Sequence, residues 1–402
     1  MALRKRLGQR QLLSASQCSS WRQMRGITYR IPQQFAEDMA STSLVLVREA
    51  RRFVQECFSR VGMSMEKQRC ITDLLLAADY RGVHGSGINR LDMYLSDIQN
   101  GYVDIKAEPK LIHNTLTTAH VDGNRAMGVF VANYCMDLAV EKARQTGIGF
   151  VVAKQSHHIG MAAWYAFRAV AKGFIGLVMS NAAPMMMQPG CRSSSLGANC
   201  LAFGATGNWS HLMMDMSTTV RDIGAIEWAF MNQEQIPRGW ASDVNGMPTT
   251  FPNLALSAQQ LYPIGGNKGF SLAAMIDVLC GVMSGADYAT RIPRWCAPCQ
   301  GRSPNLGLVM LVLDPCFFVP NFKERLDDFN RRIRNSSPRD EANPVKVPGD
   351  LEKQHMDYVD DLGALPYPNL LLAKCKLIAN MLCVKPMQLA FTSCERHSSC
   401  LH

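Results

Sequence analysis

The chain has 402 residues, of which 47% are hydrophobic and 19% charged, as is typical of a globular protein. No apolar run approaches the ~20 residues that a membrane-spanning helix needs, so the sequence predicts no membrane association. The net charge is +9, but residues 1–36 hold seven basic residues and no acidic one, which leaves the rest of the chain nearly neutral. Nucleic-acid binding is therefore disfavoured.

Residues 1–33 form a leader in which serines and apolar residues surround the basic ones. The basic residues are Arg4, Lys5, Arg6, Arg10, Arg22, Arg25 and Arg30. An arginine-rich, acid-free start is typical of a mitochondrial transit peptide, so the sequence predicts a mitochondrial protein. The alternative is a disordered leader with no targeting role, in a cytoplasmic protein.

The chain contains 14 cysteines but no secretory signal, and the cysteines are scattered through apolar segments. This distribution indicates reduced thiols in the core. The one CxxC pair, Cys296 and Cys299, lacks a second pair or a histidine at zinc-finger spacing. The sequence therefore predicts no metal site.

Apolar residues at helical spacing predict helices over residues 35–61, 65–80 and 88–98. The sequence next predicts strands between residues 111 and 121 and a long helix over 126–146. A strand at 150–152, a helix over 161–172 and a strand at 175–179 then form a β-turn-α-β unit.

Beyond this unit, strands are predicted near 201–203 and 212–214, followed by a helix over 220–233 and a turn-rich loop at 240–251. A glycine-rich segment at 264–271 leads into a helix over 272–283. The remaining elements are a strand at 306–313, a helix over 321–334, a proline-rich connection at 335–350 and a helix over 370–382.

The turn of the β-turn-α-β unit carries Ser156, His157 and His158. Ligands of such sheets bind beyond the carboxyl ends of strands, and a histidine there can move a proton near neutral pH. An N-cap serine followed by two solvated imidazoles is the alternative interpretation.

A second segment, from Arg81 to Tyr94, places three glycines around His84 and puts Arg90 and Tyr94 on one helix face. Arginine offers a planar fork that binds a carboxylate through two hydrogen bonds. A helix turn with a surface arginine and a core tyrosine is the alternative. The segment is not a GxGxxG dinucleotide motif, because Arg90 stands at the third glycine.

Two further segments suit ribose and phosphate oxygens. Small hydroxyl side chains and backbone N–H groups follow Asp215 at a strand end, although an N-cap would explain them equally well. The loop from Gly265 to Gly269 carries Lys268 towards a helix start, a weak phosphate-binding signal by itself.

Taken together, these segments resemble the type-2 malate/L-lactate dehydrogenase family, NAD(P)-dependent 2-hydroxy-acid oxidoreductases that lack a Rossmann fold. Matching segments run in order from about residue 35 to residue 383. Besides those above, they include Ile236-Pro-Arg-Gly-Trp240, Asn305-Leu-Gly307 and Val347-Pro-Gly-Asp350.

The resemblance implies that His158 accepts the proton of the substrate hydroxyl and that His84, Arg90 and Tyr94 line the carboxylate side. It places the nicotinamide cofactor, NAD or NADP, against Ala182, Asp215, Met216, Ser217, Lys268, Pro304, Asn305 and Leu306. It also implies a homodimer, a small 2-hydroxy or 2-oxo acid as substrate, and no metal.

The sequence departs from the family pattern at three places. Many members carry Ser-His-Gly where this chain has Gly85-Ser86-Gly87, and a Gly-Thr-Asn-Pro pattern is reduced here to Gly197-Ala-Asn-Cys200. Asn267 replaces the usual aromatic residue before the loop lysine. An impaired member that binds nucleotide or a partner without turnover is therefore the alternative to an active dehydrogenase.

The predicted fold class is mixed α/β (α+β), with a non-Rossmann cofactor domain and a discontinuous helical domain. The helical domain comprises residues 34–110 and 255–300. The α/β cofactor domain comprises residues 111–254, and residues 301–385 return to it and add the C-terminal helices. A tail occupies residues 386–402.

Deleting residues 1–33 should leave the melting temperature unchanged, because these residues show no apolar periodicity with which to dock on a core. The same deletion should abolish import into mitochondria. Thermal unfolding of both chains and an import assay check the two expectations. A large fall in melting temperature would show that the leader is an integral part of the fold.

Overall fold

The computed structural model describes residues 42–294 and 303–390, so the leader and the Cys296–Cys299 pair lie outside the described residues. Eleven α-helices lie in these ranges: α1 Val47–Arg60, α2 Met65–Tyr80, α3 Leu91–Gln99, α4 Gly128–Thr146, α5 Ala163–Val170, α6 Ile223–Met231, α7 Pro252–Ala258, α8 Asn267–Asp277, α9 Phe322–Arg334, α10 Asp350–Leu362 and α11 Asn369–Leu382. Their mixture with strands confirms the predicted α/β class.

The same ranges contain fourteen strands in three sheets. They are β1 Thr42–Val45, β2 Lys110–Asn114, β3 Thr118–Asp122, β4 Ile148–Ser156, β5 Ile175–Ser180, β6 Pro184–Met186, β7 Leu196–Gly197, β8 Cys200–Thr206, β9 His211–Ser217, β10 Ala241–Ser242, β11 Pro248–Thr249, β12 Gln260–Leu261, β13 Leu306–Leu313 and β14 Leu365–Pro368.

The largest sheet has seven strands in the order β2-β3-β4-β13-β5-β8-β9. Only β3 and β4 pair in parallel, whereas β13 pairs antiparallel with both β4 and β5. Strands β4 and β5 therefore point the same way with β13 between them. Their carboxyl ends lie at one edge of the sheet, where the predicted histidine turn begins.

Strand β13 consists almost wholly of apolar residues, and its centre is buried. A continuous apolar run is typical of a strand covered on both faces. One face packs against α4, in a core that includes Val131, Ala139, Leu308 and Met310. On the other face, Val309 belongs to a second core, which also contains residues from the end of α8 and from the segment that follows it.

A smaller sheet has five strands in the order β11-β10-β12-β6-β7. Its strands β10 and β11 fall within the predicted loop 240–251, and they are too short to leave a periodic pattern in the sequence. The predicted turn between them is present, because Gly246 N–H donates to the carbonyl of Asp243 at 3.0 Å. The Asp243 carboxylate also accepts from the N–H groups of Asn245 and Met247, each at 2.9 Å.

The prediction of a first helix over residues 35–61 was wrong at its beginning. The helix begins at Val47, and Thr42–Val45 form β1, which pairs antiparallel with β14. The partner strand lies more than 300 residues further along the chain, and Ser43 Oγ donates to Asn369 Oδ1 there at 2.7 Å. A local pattern cannot reveal such a distant partner.

The glycine-rich loop is shorter than predicted, because α8 begins at Asn267 and not at residue 272. Gly265 and Gly266, with φ of 58° and 64°, make the turn that precedes it. Two helices were not predicted, α7 and α10. The latter lies between Gly349 and Gly363, both at positive φ.

The helix predicted over 272–283 ends early, at Asp277, and a π-helix over Val278–Val282 follows it. The remaining predicted helices are present with their ends shifted by at most three residues, and the helix 65–80 and the strand 306–313 have the predicted bounds. No helix in residues 42–294 and 303–390 is both long and apolar enough to cross a membrane. The division into domains stays a prediction.

Candidate active site

The histidine turn follows β4, and two backbone conformations shape it. Gln155 has φ of 53°, and its N–H donates to Asn305 Oδ1 at 2.7 Å. Gly160 has φ of 72°, and a Cβ there would lie 2.8 Å from Leu74 Cδ2. The Asn305 side chain therefore supports this turn, whereas the resemblance had placed Asn305 against the cofactor.

Protein groups hold His158 at its Nδ1 atom. The hydroxyl of Tyr94 lies 2.8 Å from Nδ1, and the N–H of Gly160 donates to the same atom at 3.2 Å. Burial, together with the positive charge of Arg90 and the neighbouring His157, lowers the pKa of His158 to about 3. The imidazole is therefore neutral at pH 7 and able to accept a proton.

The two contacts at Nδ1 favour different tautomers of His158. A backbone N–H can only donate, so Gly160 favours Nδ1 without a hydrogen. A hydroxyl both donates and accepts, so Tyr94 can also hold a hydrogen on Nδ1. Proton acceptance at Nε2 requires that second tautomer, so Tyr94 is the group that permits it.

Arg90 lies directly before α3 and is buried. Its Nη2 is 2.7 Å from Oε2 of Glu227, which is also buried. Asn89 Nδ2 donates to the same carboxylate oxygen at 2.8 Å. The alternative of a surface arginine is excluded, because this guanidinium is fixed in the interior by α6.

The Arg90–Glu227 pair is connected to the C-terminal helix. Lys374 on α11 donates to the carbonyl of Asn89 at 3.0 Å and forms an ion pair with Asp92 at 3.0 Å. Three helices, α3, α6 and α11, are thus joined by buried polar contacts. The position of Arg90 depends on all three.

His84 does not take the place that the resemblance gives it. Its ring stacks on Trp228 with ring centres 3.8 Å apart, and its Nδ1 lies 3.7 Å from Oδ1 of Asp79. The next residues, Gly85 and Ser86, line the cavity instead. His84 therefore packs on the side of the turn that faces away from the cavity.

A cavity of ≈ 250 Å³ opens at this edge of the main sheet. Eight of the predicted site residues line it: Arg90, His158, Ala182, Asp215, Met216, Ser217, Pro304 and Leu306. The other four described site residues, His84, Tyr94, Lys268 and Asn305, lie outside its wall. Tyr94 is buried behind His158, and Lys268 is exposed on the first turn of α8.

Asp215 ends up beside the start of α5, where its Oδ2 accepts from the N–H of Ala163 at 2.8 Å. Burial, aided by the nearby negative charge of Asp222, raises the pKa of Asp215 to about 7. This carboxyl group therefore changes between its neutral and ionised forms near neutral pH.

The segment after β5 is fixed by two asparagines. Asn199 Oδ1 accepts from Ala182 N–H at 3.0 Å, and Asn199 Nδ2 donates to the carbonyl of Ala273 at 2.9 Å. Asn181 accepts from Gly307 N–H at 2.9 Å and donates to Asp277 at 3.2 Å. The backbone at Ala182 is therefore held rigidly at the cavity wall.

Several polar residues of the wall were not among the predicted site residues, including Asp97, His157, Asp222 and Arg294. His157 is buried, in contrast to the alternative of two solvated imidazoles, and its Nδ1 lies 3.8 Å from Oδ2 of Asp97. Asp97 lies two helical turns after Arg90, so its position was readable from the i, i+7 spacing. In residues 42–294 and 303–390, no group of three or more metal-ligating side chains is present.

The chain belongs to the malate/L-lactate dehydrogenase family, whose model matches residues 45–374. It is 32% identical over 310 residues to the L-sulfolactate dehydrogenase of Methanothermobacter thermautotrophicus, covering 77% of this chain and 88% of the relative. It is 30% identical over 302 residues to the ureidoglycolate dehydrogenase (NAD(+)) of Escherichia coli, covering 74% and 85%.

The fold is similar to that of the malate dehydrogenase from Pyrococcus horikoshii, with a TM-score of 0.77 and 28% identity over 86% of this chain and 97% of that one. The sulfolactate dehydrogenase from Methanocaldococcus jannaschii gives a TM-score of 0.76 at 28% identity, covering 85% and 98%. These relatives act on different hydroxy acids. The chain is therefore an enzyme of the dehydrogenase type that acts on 2-hydroxy acids.

Arg90→Lys should weaken substrate binding in the transition state by about 2 kcal/mol or more, because lysine keeps the charge but loses the bidentate fork. The check is kcat/KM for the hydroxy acid beside the dissociation constant of the cofactor, which should barely change. Equal weakening of both would place Arg90 away from the substrate carboxylate.

Tyr94→Phe should lower kcat about tenfold, the worth of roughly one hydrogen bond of 1.4 kcal/mol, because Gly160 would then favour the wrong tautomer of His158. Cofactor affinity should stay the same, since Tyr94 does not line the cavity. Steady-state kinetics and cofactor titration of the two proteins provide the measurement. An unchanged kcat would mean that Tyr94 only fills space.

Proposed function

We propose that this protein is an NAD- or NADP-dependent oxidoreductase that moves a hydride between the cofactor and C2 of a small 2-hydroxy acid, malate- or lactate-like. The observation that carries the proposal is the juxtaposition of a neutral His158 and a buried Arg90 guanidinium in one cavity. His158 can accept the proton of a hydroxyl group, and Arg90 can bind a carboxylate. A 2-hydroxy acid carries a hydroxyl group and a carboxylate on neighbouring carbons.

The far wall of the cavity fits a nicotinamide dinucleotide. Ala182 leaves room beside rigid backbone, and Asp215 and Ser217 offer oxygens to ribose hydroxyls. Lys268 is an exposed cation on the first turn of α8, where the helix dipole also favours a phosphate. When bound, the cofactor supplies the acceptor or donor of the hydride.

Arg90 and His158 cooperate electrostatically. In the empty site, the Arg90 charge helps to lower the pKa of His158. A substrate carboxylate on Arg90 offsets that charge, so the pKa of His158 rises when substrate binds. His158 therefore becomes a stronger base only when a hydroxy acid is in place.

The alternative is a family member that binds nucleotide or a partner without turnover, which the departures at Ser86, Cys200 and Asn267 suggest. Ser86 and Cys200 line the cavity, whereas Asn267 is exposed at the start of α8. None of the three contacts described for His158 or Arg90 involves these residues. We therefore favour the active enzyme.

The deciding experiment is a screen of 2-oxo acids with each reduced cofactor, followed at the absorbance of the reduced nicotinamide. His158→Ala should lower kcat about a hundredfold or more, the usual contribution of one positioned acid or base, with little change in cofactor affinity. His157→Ala should be the milder change.

No turnover with any 2-oxo acid would favour the non-catalytic alternative. If His157→Ala were inactive while His158→Ala kept full turnover, His157 would be the proton acceptor. If neither substitution mattered in an active enzyme, the proposed mechanism would be wrong.

We also propose that the protein is a homodimer. Helix α8 and the turn of π-helix that follows it expose Met275, Val278, Val282 and Met283, which recur at helical spacing on one side. An apolar stripe of this kind is typical of an interface. Sedimentation equilibrium of the purified chain distinguishes a dimer from a monomer.

The mitochondrial location likewise stays a proposal, supported by the composition of residues 1–33. The import assay on the shortened chain tests it. Cytoplasmic retention of the full chain would favour the alternative.

A further inference from the structure

We propose that this site selects 2-hydroxy acids with a single carboxylate, and that Asp222 is the specificity-determining residue that excludes a second anionic group. The inference rests on the proposed function and names its substrate class. The chain is similar both to dehydrogenases named for the dianions malate and sulfolactate and to one named for ureidoglycolate. Similarity to these relatives does not choose between a substrate with one anionic group and a substrate with two, so the choice has to come from the residues of the cavity.

The buried cation of the site is balanced before substrate arrives. Arg90 is paired with Glu227 at 2.7 Å, so the two together add no net charge. A guanidinium binds a carboxylate through a planar fork of two N–H donors, so Arg90 suits one substrate carboxylate. A second anionic group of the substrate has to find another partner.

Asp222 holds a fixed position on the wall. It is the N-cap of α6, and its Oδ1 accepts from the N–H of Ala225 at 2.7 Å. Its Oδ2 faces the turn beside Ser86, because a Cβ built on Gly85 would lie 3.1 Å from that oxygen. A Cβ built on Gly224, two residues further on, would lie 3.0 Å from Arg90 Nη2. Asp222 therefore stands at the carboxylate end of the cavity.

The other two carboxylates of the wall are differently placed. Asp97 has the His157 imidazole 3.8 Å away, and Asp215 is a buried group whose negative form is disfavoured. Within the described ranges, no ion pair involves Asp222. Its negative charge therefore acts directly on whatever occupies the adjacent space.

Among the described residues, Arg294 is the other cation of the wall and the candidate partner for a second anionic group. It is exposed at the mouth of the cavity, whereas Asp222 is half-buried. Solvent and salt screen an exposed charge far more than a buried one. At the substrate, the negative charge of Asp222 therefore outweighs the positive charge of Arg294. The site favours a substrate whose side chain is uncharged or donates hydrogen bonds to Asp222.

The test compares kcat/KM for lactate and malate in the full-length protein. In the wild-type protein, kcat/KM for lactate should be more than ten times kcat/KM for malate. Asp222→Asn removes the charge while keeping the N-cap hydrogen bond, since asparagine caps as well as aspartate. This variant should lower the ratio about tenfold, mainly by raising kcat/KM for malate.

The matched control is Asp314→Asn. Asp314 also caps a helical turn, with its Oδ1 accepting from Cys316 N–H at 3.0 Å, but it lies outside the cavity wall. In Asp314→Asn, the ratio of kcat/KM for lactate to kcat/KM for malate should stay at the wild-type value. A second variant, Arg294→Gln, should change the ratio less than twofold.

A wild-type preference for malate, or an unchanged ratio in Asp222→Asn, would overturn the proposal. A large loss of malate turnover in Arg294→Gln would also overturn it, because a second anion would then have a cationic partner. If no hydroxy acid is oxidised, the proposed function fails. Calorimetric binding of lactate and malate to the same variants then decides the selectivity by itself.

Discussion

The buried ion pair between Arg90 and Glu227 is the constraint on which the site depends. Removing two charges from water is costly, and the cost is recovered only when geometry and additional hydrogen bonds are good. Asn89 supplies such a bond to Glu227, and Lys374 connects the pair to α11. The helices α3, α6 and α11 must therefore pack correctly before the guanidinium can face the cavity, and a site of this kind forms only in the complete fold.

The same charge governs the chemistry of the histidine. Arg90 helps to hold His158 neutral, and Tyr94 steadies its ring from the side away from the cavity. Ser86, where the sequence departs from the family pattern, lines the cavity, but none of these contacts involves it. Under the proposed function, the chain retains His158 as its acid–base group and Arg90 as its carboxylate-binding group, and Asp222 is the residue we propose to narrow the choice of substrate.

The apolar periodicity of the sequence predicted the helices and strands whose pattern lies within their own segment. Helix α2 and strand β13 have the predicted bounds, because each contains its own apolar pattern. Residue type and spacing singled out Arg90 and the histidine turn, and the family resemblance selected His158 within that turn; Arg90 and His158 both line the cavity. Other features depend on distant partners: β1 exists because β14 pairs with it, and His84 faces Asp79 and Trp228 and does not reach the cavity. No pattern within one segment contains that information.

The pairing of β1 with β14 has a consequence for how the protein is made. The first described strand has no partner until residues 365–368 have been synthesised, and Lys374 follows only nine residues after the start of that strand. A ribosome-bound chain therefore exposes the apolar face of α1 and an incomplete arginine site through most of translation. Contacts of such sequence separation fold slowly and invite aggregation. The cavity that holds Arg90 is therefore among the last parts of the molecule to be completed.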